Sequence, residues 1–278
     1  MKIHNQITFL LKQPESKITF ILIMLFVLTN YIGNVIAFSG LDIAESYRFI
    51  KLITNSFSNT NDSADILILF NSIYPLLVTL PAGLSIIKEQ QSHENVYIIS
   101  RIGKNKYYLN HIISCFITTS IIFFIPFFIE IIYTVLSFPL DSSLDPMEVL
   151  LYTTEYNDLI SKHLFYEFYS IHPILYAIAA ELWFALYSGL MGTLSLIFSM
   201  IFKYKYRAQV FIPVFLFLHI TTIMDYVLDG QGTYIWYEYV YPFTECDKNY
   251  YYAFTILILT IIFIITSFLI VRKKDILS

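Results

Sequence analysis

Two carboxylates, Glu130 and Glu181, stand inside runs of apolar residues, and Asp225 lies near the end of a third. A charged side chain costs about 2.5–3.5 kcal/mol at the centre of a membrane helix by insertion scales. An acid there faces a cavity, meets a partner, or is lifted to the headgroups by helix tilt. Ionised, it can favour a cationic or amphipathic molecule; protonated, it can hydrogen-bond across helices. Counting along the runs puts Glu130 and Glu181 at comparable depth in the outer part of the bilayer, with Asp225 near the same level. Two readings stay open: these acids line an outward cavity, or they sit at the interface. The other chemistry-bearing stretch is Lys88–Tyr108. It carries Lys88, Arg101, Lys104 and Lys106, with Val96, Tyr97, Ile98 and Ile99 among them. A basic segment too short to be a domain, with apolar side chains inside it, suits docking on a soluble protein. A solvated basic loop is the plainer alternative.

Catalytic and metal motifs are missing where they would be sought. Gly103-Lys104 has Ile98 where a phosphate-binding loop needs its first glycine. His93-Glu94 could open a zinc motif, but Tyr97 occupies the position of the second histidine. His4, His163, His172 and His219 are scattered, and His219, near mid-membrane, reads as a packing residue. No catalytic residue, metal ligand or bound cofactor is expected, and nothing points to nucleic acid.

The elements that must position these residues are membrane helices. The chain has 278 residues, 57% of them hydrophobic and only 14% charged. A soluble domain is nearer a quarter charged. A helix needs about 20 apolar residues to cross a bilayer. Six such runs are expected, at about 18–38, 64–87, 112–138, 174–202, 210–227 and 251–271. The fold class is therefore all-α, a polytopic membrane protein whose first partner is the lipid bilayer. The third and fourth runs exceed the needed length, and Pro126 is the natural kink site in the third.

Thirteen of the seventeen Lys and Arg residues fall in the N-terminus, loop 88–111, loop 203–209 and the tail. The intervening loops hold only Arg48, Lys51, Lys162 and Lys248, while Asp141, Asp145, Glu148, Glu155, Asp158 and Glu167 share one of them. The positive-inside rule then puts both termini in the cytoplasm. Cys115 and Cys246 come out on opposite sides of the bilayer, so they are not expected to pair.

Residues 1–16 form either a short amphipathic helix on the inner membrane surface, through Ile3, Ile7, Leu10 and Leu11, or a frayed tail; Pro14 ends the segment. Loop 39–63 is polar. Loop 139–172 has a short helical pattern at Met147, Val149, Leu150 and Leu151. Loop 228–250 is aromatic, with Tyr234, Trp236, Tyr237, Tyr239, Tyr241 and Phe243. It reads as an interfacial belt or as a re-entrant element over a substrate path. In the fourth run, Ala185 and Gly189, and Ser188 and Gly192, are small residues four apart, which permits close helix packing.

Six spans, both ends inside, an amphipathic N-terminal helix and a docking segment between spans two and three resemble the permease of a type-2 ATP-binding-cassette transporter. The local match runs from the end of span two into span three: acidic Glu89 directly after the span, a short helix, the turn-like Ser100-Arg101, and a Lys/Tyr run. The resemblance implies a coupling helix that inserts into an ATPase subunit. Its residues would be Glu89 together with Asn95, Val96, Tyr97, Ile98, Ile99, Ser100 and Arg101. It also implies that ATP and Mg bind a separate nucleotide-binding subunit, that a second permease copy or a related permease is needed, and that the chain sits in a bacterial cytoplasmic membrane. Export of a peptide, drug or lipid-like molecule, including self-protection against antimicrobial peptides, is the expected task. An intramembrane enzyme and an ATPase-independent secondary transporter are the rival classes.

Overall fold

The computed structural model describes residues 3–40, 49–54, 61–92, 94–140, 164–202, 204, 206–228, 236, 240 and 250–273. All described elements are helical: α1 (Ile3–Lys12), α2 (Pro14–Ala37), α3 (Asn61–Thr79), α4 (Ser85–Gln91), α5 (Glu94–Ile102), α6 (Lys104–Ser137), α7 (Tyr166–Ile171), α8 (Pro173–Ile201), α9 (Ile212–Leu228) and α10 (Tyr250–Lys273). Single 3₁₀ turns occupy Phe49–Leu52 and Arg207–Phe211.

Among the described residues, four helices are long and apolar enough to cross a membrane: α2, α6, α8 and, in α10, Ala253–Arg272. The apolar stretches found for the second and fifth expected spans are shorter, Ile68–Thr79 and Arg207–Ile220. The run 64–87 is not one helix. It ends at Thr79, turns through residues 80–84, and restarts at Ser85. Pro81 has no N–H to give the carbonyl four residues back, so the ladder fails there. The Ser16 hydroxyl lies 2.9 Å from the Pro81 carbonyl oxygen and 2.7 Å from that of Leu10, tying the break to the joint between α1 and α2. Pro126, by contrast, sits inside an unbroken α6.

Among the described elements, the most extensive contact is between α6 and α8. Small residues explain the close approach. A Cβ on Gly189 would fall 2.2 Å from Ser120 Oγ and 2.9 Å from the Phe116 carbonyl oxygen; one on Gly192 would fall 2.9 Å from Thr119 Oγ1 and from the Val78 carbonyl oxygen. Ala185 and Ser188 are buried in the same face, and the Ser188 hydroxyl bonds that of Tyr74 at 3.1 Å. This surface of α8 is thus used within the chain.

An aromatic core of Phe70, Tyr74, Phe123, Phe127 and Phe184 fills the centre, with mostly edge-on and tilted rings 5.2–6.3 Å apart. Trp236 is buried there and stacks on Tyr74 at 5.0 Å and 12°. This member of the aromatic loop is a core ring rather than an interfacial one; Tyr234, Tyr237, Tyr239, Tyr241 and Phe243 lie outside the described residues, as do Cys246 and the pattern at 147–151. Helix α1 packs against α6 and α2, burying Gln6 and Leu10, with Pro14 as the first residue of the next helix. Cys115 is buried and free.

Candidate functional site

The basic segment folds into two short helices that place its side chains on different sides. Asn95 to Arg101 all lie in α5. The helix continues past Ser100-Arg101, and the turn falls at Gly103, whose φ of +82° is a left-handed conformation that favours glycine. Its N–H closes the helix on the Ile99 carbonyl at 2.9 Å. The apolar cluster of the sequence is split. Ile99 is buried and Ile98 and Asn95 are half-buried, whereas Val96 is 49% and Tyr97 72% exposed. Ser100 and Arg101 are exposed beside Tyr97, with the Ser100 hydroxyl donating back to the Tyr97 carbonyl at 2.8 Å. The exposed side of α5 therefore carries an aromatic ring and an aliphatic side chain next to a guanidinium.

This surface stands on a polar scaffold. Glu89 does not face outward: it accepts from the Tyr107 hydroxyl at 2.5 Å and lies 3.2 Å from His111 Nε2. Lys88 pairs with Glu15 at 2.5 Å. Arg207 Nε donates to Gln91 Oε1 at 3.0 Å, and Lys104 Nζ to the Arg272 carbonyl at 3.2 Å. Four stretches far apart in sequence (the start of α2, loop 88–104, Arg207 and the end of α10) thus meet at one end of the bundle. They are the same four in which the basic residues concentrate. His111, Glu15 and Gln91 carry no local motif, and the Lys/Tyr run and the basic loop 203–209 do not say what Tyr107 and Arg207 touch, so only their partners in space reveal the role.

The opposite end holds the buried acid. Glu130 is fully buried, and its Oε1 accepts three donors: Thr54 N at 2.8 Å, Thr54 Oγ1 at 2.5 Å and Asn30 Nδ2 at 3.0 Å. Its Oε2 has no partner. Asn30 and Asn34 also donate to the Leu52 carbonyl, at 2.7 and 2.9 Å. Residues 49–54 are therefore folded back between α2 and α6, with Phe49, Leu52 and Ile53 buried against Ile131, Phe138 and Tyr176. Glu130 acts here as a clamp on that segment. Glu181 is buried on α8. Asp225 lies in α9, with its side chain outside the described residues. Asn30, Asn34 and Thr54 were unremarkable in the sequence; asparagines inside an apolar run were the one available signal.

His219 stacks on Phe215 with 3.9 Å between ring centroids, and its Nδ1 lies 2.9 Å from that residue's carbonyl oxygen, a local packing arrangement. His172 caps α8, accepting from Ile174 N at 3.2 Å. No group of three or more His, Cys, Asp or Glu able to hold a metal occurs among the described residues.

The class that this architecture defines is an all-helical membrane protein. No protein-family model, curated protein or solved structure matches the chain.

Proposed function

We propose that this chain is the membrane-spanning subunit of an ATP-driven bacterial exporter of the type-2 ATP-binding-cassette class, coupled through α5 to a separate ATPase. The observation that carries the reading is the exposed Tyr97 and Val96 on a helix set between α4 and α6, which Glu89, Tyr107 and His111 brace to each other. A rigidly held apolar side chain beside a guanidinium is suited to pass movement from a docked protein into the bundle. The brace leads directly into α6, which reaches the opposite end at Glu130. In this reading α3 with α4, and α9, complete six spans, both termini are cytoplasmic, and loop 88–104 faces the cytoplasm. ATP and Mg bind the partner subunit. One copy is half a permease, so a second copy or a related permease completes the path. The cargo class is a peptide, drug or lipid-like molecule moved outward.

The test is co-purification with a free-standing nucleotide-binding subunit encoded beside the gene. Tyr97→Asp should lower association or uncouple hydrolysis from transport, because a docking contact that excludes water tolerates a charge badly. Tyr97→Phe should behave as the parent chain. Full association and full transport by Tyr97→Asp would overturn the assignment of α5.

A further inference from the structure

Hydroxyls inside a membrane helix commonly donate back to a carbonyl one turn earlier. Thr29, Thr134, Ser188, Thr193 and Thr260 do so here. The first half of α6 departs from this pattern. Ser114, Thr118 and Thr119 are fully buried, yet their hydroxyls have no hydrogen-bond partner among the described residues. His111, one turn before Ser114, is buried as well. Its Nε2 lies 3.2 Å from Glu89, while its Nδ1 has no partner among the described residues. Spacings of three and four put His111, Ser114 and Thr118 on one face of α6, with Thr119 beside it. On the neighbouring α8, Thr193, Ser195 and Ser199 donate to carbonyls and leave these groups unanswered. The Cys115 thiol beside Thr119 is only a weak partner. An independent gap lies alongside. Where α3 ends, the Leu80 N–H returns to the Leu76 carbonyl and the Gly83 N–H to that of Thr79. The Leu77 carbonyl is skipped because Pro81 has no N–H, and the Val78 carbonyl also receives no donor among the described residues. Thr119 meets this gap. Its Oγ1 and the Val78 carbonyl oxygen each lie 2.9 Å from the point that a Cβ on Gly192 would take, so the bare glycine lets them converge.

We propose that α6 holds a file of bound water, from His111 Nδ1 past Ser114 and Thr118 to Thr119, which also closes the gap at the end of α3. Buried polar groups without protein partners are answered by internal water making about three hydrogen bonds. At Thr119 one water accepts from the hydroxyl and donates to the carbonyls of Leu77 and Val78. A lipid tail or an apolar side chain in the same place would leave every one of these groups unanswered. The file covers about 12 Å of helix. It starts at the Glu89–His111 contact, so it leads water from the polar end of the bundle into an apolar stretch of α6. The inference uses neither the ATPase reading nor the orientation proposed above.

The test uses the full chain carrying Cys246→Ser, in lipid nanodiscs, with silver ion as the probe, a small thiol-seeking cation that travels only through water. A thiol blocked by silver takes up no maleimide after unfolding, which mass spectrometry counts. Three thiols report on the file: native Cys115, and Ser114→Cys or Thr119→Cys in chains that also carry Cys115→Ser. Two more serve as controls, again with Cys115→Ser: Ile23→Cys, fully buried among apolar side chains, and Ile125→Cys, on the exposed side of α6. The three reporters should be blocked about tenfold faster or more than the controls, because a dry interior excludes an ion. Thr118→Val, added to the Thr119→Cys chain, should slow blocking about fivefold, the effect of losing one hydrogen bond along the file. Reporters no faster than the controls, or an unchanged rate with Thr118→Val, would each overturn the file. The Cys115 measurement alters nothing along the line, so it decides the matter even where a substituted chain does not fold. Because the assay needs neither ATPase nor membrane sidedness, its failure would leave the coupling proposal untouched.

Discussion

Replacing Glu130 separates a hydrogen-bonding clamp from a charge. Its Oε1 receives three donors, two from Thr54 and one from Asn30. Interhelical hydrogen bonds in membranes average about 0.6 kcal/mol with a maximum near 1.7, because the unfolded chain in the bilayer also finds partners. Three such bonds amount to about 2 kcal/mol, and at the upper value about 5 kcal/mol. Glu130→Leu removes all three and leaves the Thr54 donors buried without an acceptor, so the upper half of that range is expected. At about 2 °C per kcal/mol for a chain of this size, the thermal midpoint in detergent should fall by about 7–10 °C. Glu130→Gln keeps an oxygen for every donor and should cost less than about 1 kcal/mol. Thr54→Val should cost about one bond in the parent chain and nothing further in Glu130→Leu, since the partner is already gone. The assay is thermal unfolding of purified protein followed by tryptophan fluorescence or size exclusion. A Glu130→Gln variant as unstable as Glu130→Leu, or an additive Thr54→Val effect, would refute the clamp. A stable Glu130→Gln variant that has lost transport would instead place this carboxylate in the translocation path.

Gly189→Ala and Gly192→Ala should each destabilise by about 1–3 kcal/mol, because a methyl group meets the Phe116 or Val78 carbonyl at 2.9 Å; the recovery of monodisperse protein checks this, and parental yields would contradict the close approach. Glu89→Ala should release α4 from Tyr107 and His111 of α6, loosen the turn region that α5 occupies between them, and speed trypsin cleavage after Arg101 or Lys104 in inside-out vesicles, with unchanged cleavage arguing against the brace. Single cysteines at positions 101 and 205 should resist an impermeant thiol reagent in intact cells, while those at 145 and 238 should react; labelling at 101 without labelling at 145 would invert the orientation.

The sequence by itself determined the class and most of the helices. Length and apolarity of a run decide whether the backbone can satisfy itself in hydrocarbon, and both are properties of a local stretch. The same holds for the amphipathic pattern of α1, the basic segment 88–108, and the small residues of α8. The break at Pro81 was written in the run 64–87, yet an apolar average conceals it. What only the tertiary structure decided is which side chains meet. Tyr97 and Ile99 look alike as apolar residues of one loop, and a helix of 3.6 residues per turn sends one to solvent and the other inward. Glu89 read as part of a docking motif, but Tyr107 and His111, a helix away, turn it into a brace. Glu130 read as an acid at a certain depth; Thr54 and Asn30, from two other segments, make it a clamp. Depth follows from counting along one helix, whereas partnership depends on how several helices pack, and no single run of residues carries that information.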